Sequence, residues 1–164
     1  MFNKIIKREK FLKALIYIGD ELLKEDLYYQ EDYLQFFSLL RVSDSLLFIN
    51  HFGYAKIRYR DRKSLMRNFN NPRRINKIFH DNFIELKLIY QKTKDDVHDK
   101  GVCYDYFLNI KNFYHPATRY INQGYELFDE VIDLLLKSPY FIDKRKKEFS
   151  NFRRKMYSRR KKIK

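Results

Sequence analysis

The stretch NPRRINKIFHDNFIELKLIYQK, from Asn71 to Lys92, decides the fold that this sequence predicts. Asn71 is a residue type that caps helices, and Pro72 suits the first helical position, where its missing N–H is not needed. Apolar residues then recur every three or four positions, which is typical of an amphipathic helix. The residues expected to face the core are Ile75, Phe79, Phe83, Leu86, Ile89 and Tyr90.

The same apolar spacing occurs on both sides of this stretch. The pattern predicts five helices, at about residues 4–28, 31–52, 72–92, 117–137 and 140–160. Residues 93–101 are expected to form a loop, and residues 102–114 are ambiguous. The other residues expected to face inward are Ile5, Leu12, Leu15, Ile16, Leu22, Leu23, Leu27, Tyr33, Phe36, Phe37, Leu40, Leu46, Leu47, Ile49, Ile121, Tyr125, Phe128, Val131, Ile132, Leu135, Phe141, Phe149, Phe152 and Met156.

Residues 54–71 follow a different pattern. Every second residue from Lys56 to Arg62 is basic, which favours a strand or hairpin arm with one basic face. A helix is the alternative, because the spacings between Lys56, Arg60, Lys63 and Arg67 are also three and four.

The sequence therefore predicts a mainly α protein: a single-domain bundle of about five helices, with a basic strand or hairpin arm and a basic C-terminal helix. The helical core would span residues 1–143 and include the arm at 54–71. Residues 144–164 would form the basic C-terminal helix or tail.

Positive charge is concentrated in two blocks. Residues 54–78 carry nine Lys or Arg and one acid, and residues 144–164 carry twelve and one acid. The whole chain has a net charge of +14, so the remainder is slightly negative. Two basic blocks on a near-neutral body favour nucleic-acid binding, because each neutralised phosphate releases counterions. The hydrophobic content of 45% indicates that the chain folds and is not a disordered basic protein.

This charge pattern yields the candidate RNA-binding residues. They are Lys4, Lys7, Arg8, Lys10, Lys56, Arg58, Arg60, Arg62, Lys63, Arg67, Arg73, Arg74, Lys77, Arg153, Arg154, Lys155, Arg159, Arg160, Lys161 and Lys162. A DNA-binding protein of a phage or mobile element is an alternative, because charge alone does not separate RNA from DNA.

Arg73, Arg74 and His80 are the strongest candidates for catalysis. A histidine acting as general acid or base beside an arginine that stabilises the phosphate could cleave RNA. Five residues separate Arg74 from His80, which resembles the Arg-x(4–6)-His motif of helical HEPN-type ribonucleases. Such a short motif is common, so we predict no catalytic residues and keep an endoribonuclease using Arg74 and His80 as the alternative.

The sequence gives no sign of a metal, a cofactor or a small-molecule substrate. Its histidines and Cys103 lack the spacing of metal ligands. The acidic cluster at 95–99 does not have the order of a calcium loop. No apolar run approaches the roughly 18 residues of a membrane span, and early lysines interrupt any secretory signal. Cys103 is expected to be a buried thiol in a reducing compartment.

The order of these features resembles the seventh small-subunit ribosomal protein family of bacteria and organelles. The matching segments are Asn3-Lys4-Ile5-Ile6 with Lys10 and Ala14, the arm from Lys56 to Lys63, Pro72-Arg73-Arg74 with Asn76, Leu127 to Asp133, and Lys144-Arg145. The family's paired arm glycines and basic N-terminal extension are absent, and residues 95–115 look like an insertion.

This resemblance implies a non-enzymatic protein that contacts small-subunit rRNA within a ribonucleoprotein. The expected partners are RNA and neighbouring proteins of that particle, with no membrane. The expected location is the mitochondrial matrix or the cytoplasm.

Overall fold

The computed structural model describes residues 7–19, 31–45, 71–114 and 121–160. Within these ranges the chain forms six helices and no strand, which confirms the prediction of a mainly α bundle. The helices are α1 (Arg8–Ile18), α2 (Glu31–Val42), α3 (Pro72–Lys92), α4 (Val97–Tyr114), α5 (Tyr125–Lys137) and α6 (Asp143–Arg160). The predicted arm at 54–71 lies outside the described residues except for Asn71.

The chain divides into two compact units, Met1–Arg62 and Lys63–Lys164. The first unit contains α1 and α2, and the second contains α3 to α6. The predicted division at 143/144 into a core and a basic tail stays a prediction.

In the first unit, α1 packs against α2. Ala14 and Ile18 are the buried residues of α1, and Tyr17 brings its ring centroid to 6.4 Å from that of Phe37 on α2. The Lys10 ammonium donates to the Val42 carbonyl at 3.1 Å and pairs with Asp44 at 2.7 Å. Lys10 therefore ties α1 to the C-terminal end of α2.

The prediction for the first helix was wrong in length and in its inward face. The helix ends at Ile18, because Gly19 adopts a left-handed φ of 79°, and residues 20–28 lie outside the described part of the chain. Leu12, Leu15 and Ile16 were expected inward, yet all three are exposed, Ile16 to 78%. Leu12 and Ile16 lie about 160° around the helix from the small Ala14, which faces inward instead, and Leu15 lies about 100° from it.

The second helix is also shorter than predicted. It ends at Val42, the next three residues are not helical, and residues 46–52 lie outside the described ranges. Phe37 is buried as expected, but Leu40 is exposed. Leu40 lies about 120° around the helix from the buried Leu34, since each residue turns the chain by about 100°.

In the second unit, α3 is the central helix and packs against both α4 and α5. Its predicted inward residues are fully buried, except for Tyr90, which is half-buried. The ring centroids of Phe79 and Phe83 lie 4.9 Å apart, and that of Phe128 on α5 lies 5.6 and 5.0 Å from them. These three rings join α3 to α5.

Polar residues of α3 are buried as well, which the amphipathic pattern did not predict. Asn82 and Glu85 are at most 1% exposed, and both hydrogen-bond to the buried hydroxyl of Tyr106 on α4. The buried Asp81 pairs with Lys77 at 3.0 Å. Because α4 and α5 cover two sides of α3, more of its surface is buried than a single apolar stripe would require.

The predicted loop at 93–101 was wrong from Val97 onward, and the ambiguous segment 102–114 is helical. Asp96 starts this helix: its carboxylate accepts a hydrogen bond from the Asp99 N–H at 2.8 Å, and its carbonyl accepts from the Lys100 N–H at 3.0 Å. A short aspartate before a helix caps it in this way. The predicted burial of Cys103 on α4 is confirmed.

Lys100 joins α4 to the end of α3. The side chain is 2% exposed, and its ammonium donates to the carbonyls of Tyr90 at 2.7 Å and Thr93 at 3.1 Å. It also pairs with Asp95 at 3.1 Å and lies 4.0 Å from the centroid of the Tyr90 ring. These contacts satisfy carbonyls that the end of a helix otherwise leaves without a donor.

Helix α5 begins at Tyr125, later than the predicted residue 117. Gly124 precedes it with a left-handed φ of 78°, residues 121–124 are not helical, and residues 117–120 lie outside the described ranges. The buried Asn76 of α3 holds this connection, because its Oδ1 accepts from the N–H groups of Asn122 and Gln123 at 2.9 and 3.1 Å. Every predicted inward residue from 121 to 135 is buried.

Helix α6 docks by its apolar stripe, as predicted. Phe149, Phe152 and Met156 are buried, together with Phe141 just before the helix. The ring centroid of Phe107 on α4 lies 4.7 Å from that of Phe149 and 5.5 Å from that of Phe152. Helix α6 also packs against α5, so its inner face is fixed by two neighbours.

Candidate nucleic-acid interface

The outer face of α6 carries a row of cations. Lys144, Lys147, Arg154 and Lys155 are all exposed, and they lie on the side of the helix away from Phe149. The row runs for about 16 Å along the axis at 1.5 Å per residue. None of the four forms a salt bridge within the described ranges, so their charges face solvent. We call these four residues the α6 cationic face.

Other basic residues of α6 hold the helix in place. Arg153 pairs with Asp129 at 2.8 Å and with Asp133 at 2.6 Å, both on α5. Burial opposes the charge of this guanidinium, but the hydrogen bond to Asp133 and the two carboxylate charges outweigh burial and raise its pKa. Tyr157, one turn further on, donates a hydrogen bond to Asp129. Arg153 was predicted to contact RNA, but its charge is paired with two carboxylates of α5.

A second polar junction joins α6 to α4. Glu148 pairs with Lys111 at 2.7 Å and accepts a hydrogen bond from Tyr104 at 2.9 Å. The hydrogen bond from Lys111, followed by that from Tyr104, lowers the pKa of Glu148. Arg145 lies 4.5 Å from the centroid of the Tyr104 ring. The junction therefore neutralises the charge of Glu148.

The N-terminus of α3 is the second basic surface. As predicted, Asn71 caps the helix, and its Oδ1 accepts from the N–H groups of Arg73 at 3.0 Å and Arg74 at 3.4 Å. Arg73 is exposed, Arg74 is half-buried, and the first turn has no acidic residue. Basic side chains at the positive end of a helix are unfavourable unless an anion offsets them.

The predicted RNA-binding residues fall into several groups. Lys10, Lys77 and Arg153 form ion pairs within the protein. Lys7, Arg8, Arg73, Arg154 and Lys155 are exposed, while Arg74 and Arg159 are half-buried. Arg160 is the last residue of α6. Outside the described ranges lie Lys4, Lys56, Arg58, Arg60, Arg62, Lys63, Arg67, Lys161 and Lys162.

Two residues of the α6 cationic face, Lys144 and Lys147, were not among the predicted contacts. Their signal was present in the sequence, because Lys144, Lys147, Arg154 and Lys155 follow one another at steps of three, seven and one. Lys144 and Lys155 are eleven positions apart and Lys147 and Arg154 are seven apart, which are close to three and two full turns of a helix.

The alternative catalytic pair lies on α3. Six positions separate Arg74 from His80, which turns the chain by about 240° and places them on different sides of the helix. Arg73, seven positions before His80, is within about 20° of it. The His80 side chain is 42% exposed, with its Nδ1 3.6 Å from Asp81 Oδ1. The ribonuclease hypothesis stays a prediction.

A groove of about 230 Å³ lies between α4 and α6. Its apolar lining is Phe152 and Met156. Its polar lining is Lys111, Asn112, Glu148, Asn151, Lys155 and Arg159. Lys155 belongs both to this groove and to the α6 cationic face, so the two surfaces are continuous.

A larger groove, about 500 Å³, lies between α3 and α5. Three basic residues line it, Lys87, Lys100 and Lys137, and three acidic ones, Asp95, Glu130 and Asp133. Lys87 pairs with Glu130 at 2.6 Å, and Lys100 pairs with Asp95. The groove has no excess of positive charge and does not suit a polyanion.

Within the described ranges, no helix is both long and apolar enough to cross a bilayer. The same ranges contain no cluster of His, Cys, Asp and Glu that could hold a metal ion. Comparison of the chain with protein families, curated proteins and solved structures finds no match.

Proposed function

We propose that this protein binds RNA, without catalysing a reaction on it, as a structural component of a ribonucleoprotein. The observation that carries this proposal is the α6 cationic face. Four cations lie exposed on the outer side of a helix whose inner side is packed against α4 and α5. A fixed row of cations suits the phosphates of a nucleic-acid strand, since phosphate contacts supply most non-specific affinity.

The sorting of basic residues on α6 supports the same function. Arg153 and Arg145 are engaged with Asp129, Asp133 and Tyr104. Within the described ranges, the ion pairs between α6 and its neighbouring helices are thus formed by residues other than the four of the cationic face. Those four add like charges to one face, which costs stability, so a ligand that offsets the repulsion is expected.

The more specific proposal is small-subunit rRNA in a ribosome of an organelle or bacterium. It rests on the resemblance of the Pro72-Arg73-Arg74 segment and the Lys144-Arg145 segment to the seventh small-subunit ribosomal protein family. In that case the neighbours would be other ribosomal proteins, and the N-terminus of α3 would meet a second RNA segment.

A salt titration of binding to single-stranded RNA tests the proposal. The logarithm of the affinity is expected to fall linearly with the logarithm of salt concentration, by about 0.7 per phosphate contacted. Replacing Lys147 and Arg154 together by Gln should reduce this slope by about 1.4. These residues lie seven positions apart on the same side of α6.

A matched control replaces two exposed lysines elsewhere, Lys94 and Lys137, by Gln. This control removes the same amount of charge and should leave the slope nearly unchanged. Equal effects of the two double variants would contradict a defined interface on α6. A flat salt dependence of the original protein, or a clear preference for duplex DNA, would overturn RNA binding itself.

A further inference from the structure

We propose that the groove between α4 and α6 holds the base of one unpaired nucleotide in an RNA strand that follows the α6 cationic face. This inference rests on the proposed function and makes it more specific. It concerns a different part of the surface from the α6 cationic face, apart from Lys155, which the two share.

The size of the groove suits a single small group. Its volume is about 230 Å³, which is below the roughly 300–1,000 Å³ of pockets that hold drug-sized ligands. A base with part of its sugar is a ligand of suitable size, whereas a complete cofactor such as a dinucleotide is too large. The groove opens beside a row of cations, where a strand would present its bases one at a time.

The chemistry of the lining suits a base. Phe152 and Met156 are buried and form an apolar floor. Asn112 and Asn151 lie on the two sides of the groove, one on α4 and one on α6. Asn151 Oδ1 accepts a hydrogen bond from Arg154 at 3.1 Å, so its NH2 group is the part that can donate to a ligand. Side-chain amides both donate and accept hydrogen bonds, as the edges of bases do, and RNA readers recognise unpaired bases through such edges and apolar contacts.

The charge of the lining favours a phosphate at one end. Glu148 is paired with Lys111 at 2.7 Å, and this pairing lowers the pKa of Glu148, so the two charges cancel at neutral pH. Lys155 adds positive charge at the side of the groove that borders the α6 cationic face. Lys155 has an exposed side chain on the α6 cationic face. A phosphate at Lys155 would therefore link the base in the groove to the strand along the helix.

Met156 is fully buried beneath the groove, so methionine-methyl NMR of the full chain tests whether a base lies above it. The chain has three methionines, and among the residues that the structure describes Met156 is the one that lines the groove. Met156→Leu assigns its signal. Adenosine 5′-monophosphate should move the Met156 methyl signal to lower chemical shift, because the ring current of a base above the groove floor shields this methyl group. Ribose 5-phosphate at the same concentration should leave it in place. A short oligoadenylate should cause the same shift at a lower concentration.

A pair of variants separates the groove from the rest of the surface. Asn112→Leu removes an amide from the groove wall, whereas Asn109→Leu makes the same change on an exposed position one turn away on α4. Asn112→Leu should weaken binding of single-stranded RNA by up to about tenfold, which is the upper end of the net contribution of one hydrogen bond. Its salt slope should not change, and Asn109→Leu should behave as the original protein.

These experiments distinguish failure of the groove proposal from failure of the proposed function. A steep salt slope with no effect of Asn112→Leu and no shift of Met156 would overturn the groove and leave RNA binding standing. A smaller salt slope for Asn112→Leu would also overturn the base site, because it would mean that the variant has lost a contact to a phosphate and not to a base. If the free mononucleotide bound more tightly than the oligomer, the groove would not hold a base of an RNA strand that follows α6. Failure of all RNA binding would overturn the proposed function first.

Discussion

Tyr104 and Tyr106 lie two positions apart on α4, and their hydrogen bonds are expected to stabilise the fold to different extents. The Tyr106 hydroxyl is buried with Glu85 and Asn82 of α3, and all three residues are at most 1% exposed. The Tyr104 hydroxyl donates to Glu148 in a half-buried junction with α6. Loss of a hydroxyl costs more where water cannot replace it.

We therefore expect Tyr106→Phe to lower the free energy of unfolding by about 2 kcal/mol. Tyr104→Phe, the matched control, should cost about 1 kcal/mol or less. Urea unfolding followed by circular dichroism measures both values. Equal losses in the two variants would mean that the buried hydroxyl of Tyr106 stabilises the fold no more than the half-buried hydroxyl of Tyr104.

At the scale of single residues, the sequence predicted apolar burial better than polar burial. Phe79, Phe83 and Phe128 were expected in the core and are there. Asn76 was expected only as part of a motif, yet it bonds two backbone N–H groups 46 and 47 positions away. Such a contact depends on where α3 meets the connection before α5, and helical spacing carries no information about distant partners.

At the scale of helices, ends were harder to predict than centres. The positions of Gly19 and Gly124 show why, since each adopts a left-handed φ next to a helix end. Apolar residues continue beyond Gly19 in the sequence, so periodicity extended α1 too far. Helix α4 was missed in part because Lys100 lies on its buried side, where a lysine breaks the apolar pattern.

The junction of α4 and α6 makes a prediction about pH. Hydrogen bonds from Lys111 and Tyr104 hold the pKa of Glu148 below its ordinary value of 4.5. The unfolded chain therefore takes up this proton first as the pH falls. The stability that Glu148 contributes is complete above about pH 4.5 and is lost as the pH falls through the lower folded value.

Glu148→Gln should accordingly be less stable than the original protein at pH 7. The difference between the two should stay constant down to about pH 5 and shrink at lower pH. Thermal unfolding at a series of pH values measures this. A difference that stays constant to pH 3 would show that Glu148 stabilises the junction without its charge.

At the scale of the molecule, the chain has a net charge of +14. Its basic residues include some that stabilise the fold and others that face solvent. Lys10, Arg153 and Lys111 belong to the first group, and the α6 cationic face belongs to the second. The two basic blocks of the sequence predicted RNA binding, but they did not separate Arg153, which forms ion pairs with α5, from Arg154, which is exposed. Only the contacts of each side chain separate the two groups.

If the protein is a component of a ribosomal particle, it should sediment with small subunits and remain bound through a high-salt wash. Charges buried between RNA and protein are screened less than charges on an open surface. Sucrose-gradient fractions probed for the tagged protein measure this. The Lys147→Gln/Arg154→Gln variant should leave the particle at lower salt. Recovery of the protein only at the top of the gradient would contradict the ribosomal proposal.

The same protein should leave RNA intact, because the proposed function has no reaction. Incubation of purified protein with single-stranded RNA, followed by gel electrophoresis, tests this, with His80→Ala as the control. Cleavage that disappears in His80→Ala while binding persists would replace the structural role by a ribonuclease.

The enclosed ammonium of Lys100 makes this residue a chemical reporter of motion. Two carbonyls, a carboxylate and an aromatic ring surround its nitrogen. An amine-selective reagent reaches exposed lysines such as Lys94 or Lys137 directly, but it reaches Lys100 only when α4 separates from the end of α3. The rate at which Lys100 becomes labelled therefore measures how often this helical hairpin opens while the rest of the protein stays folded.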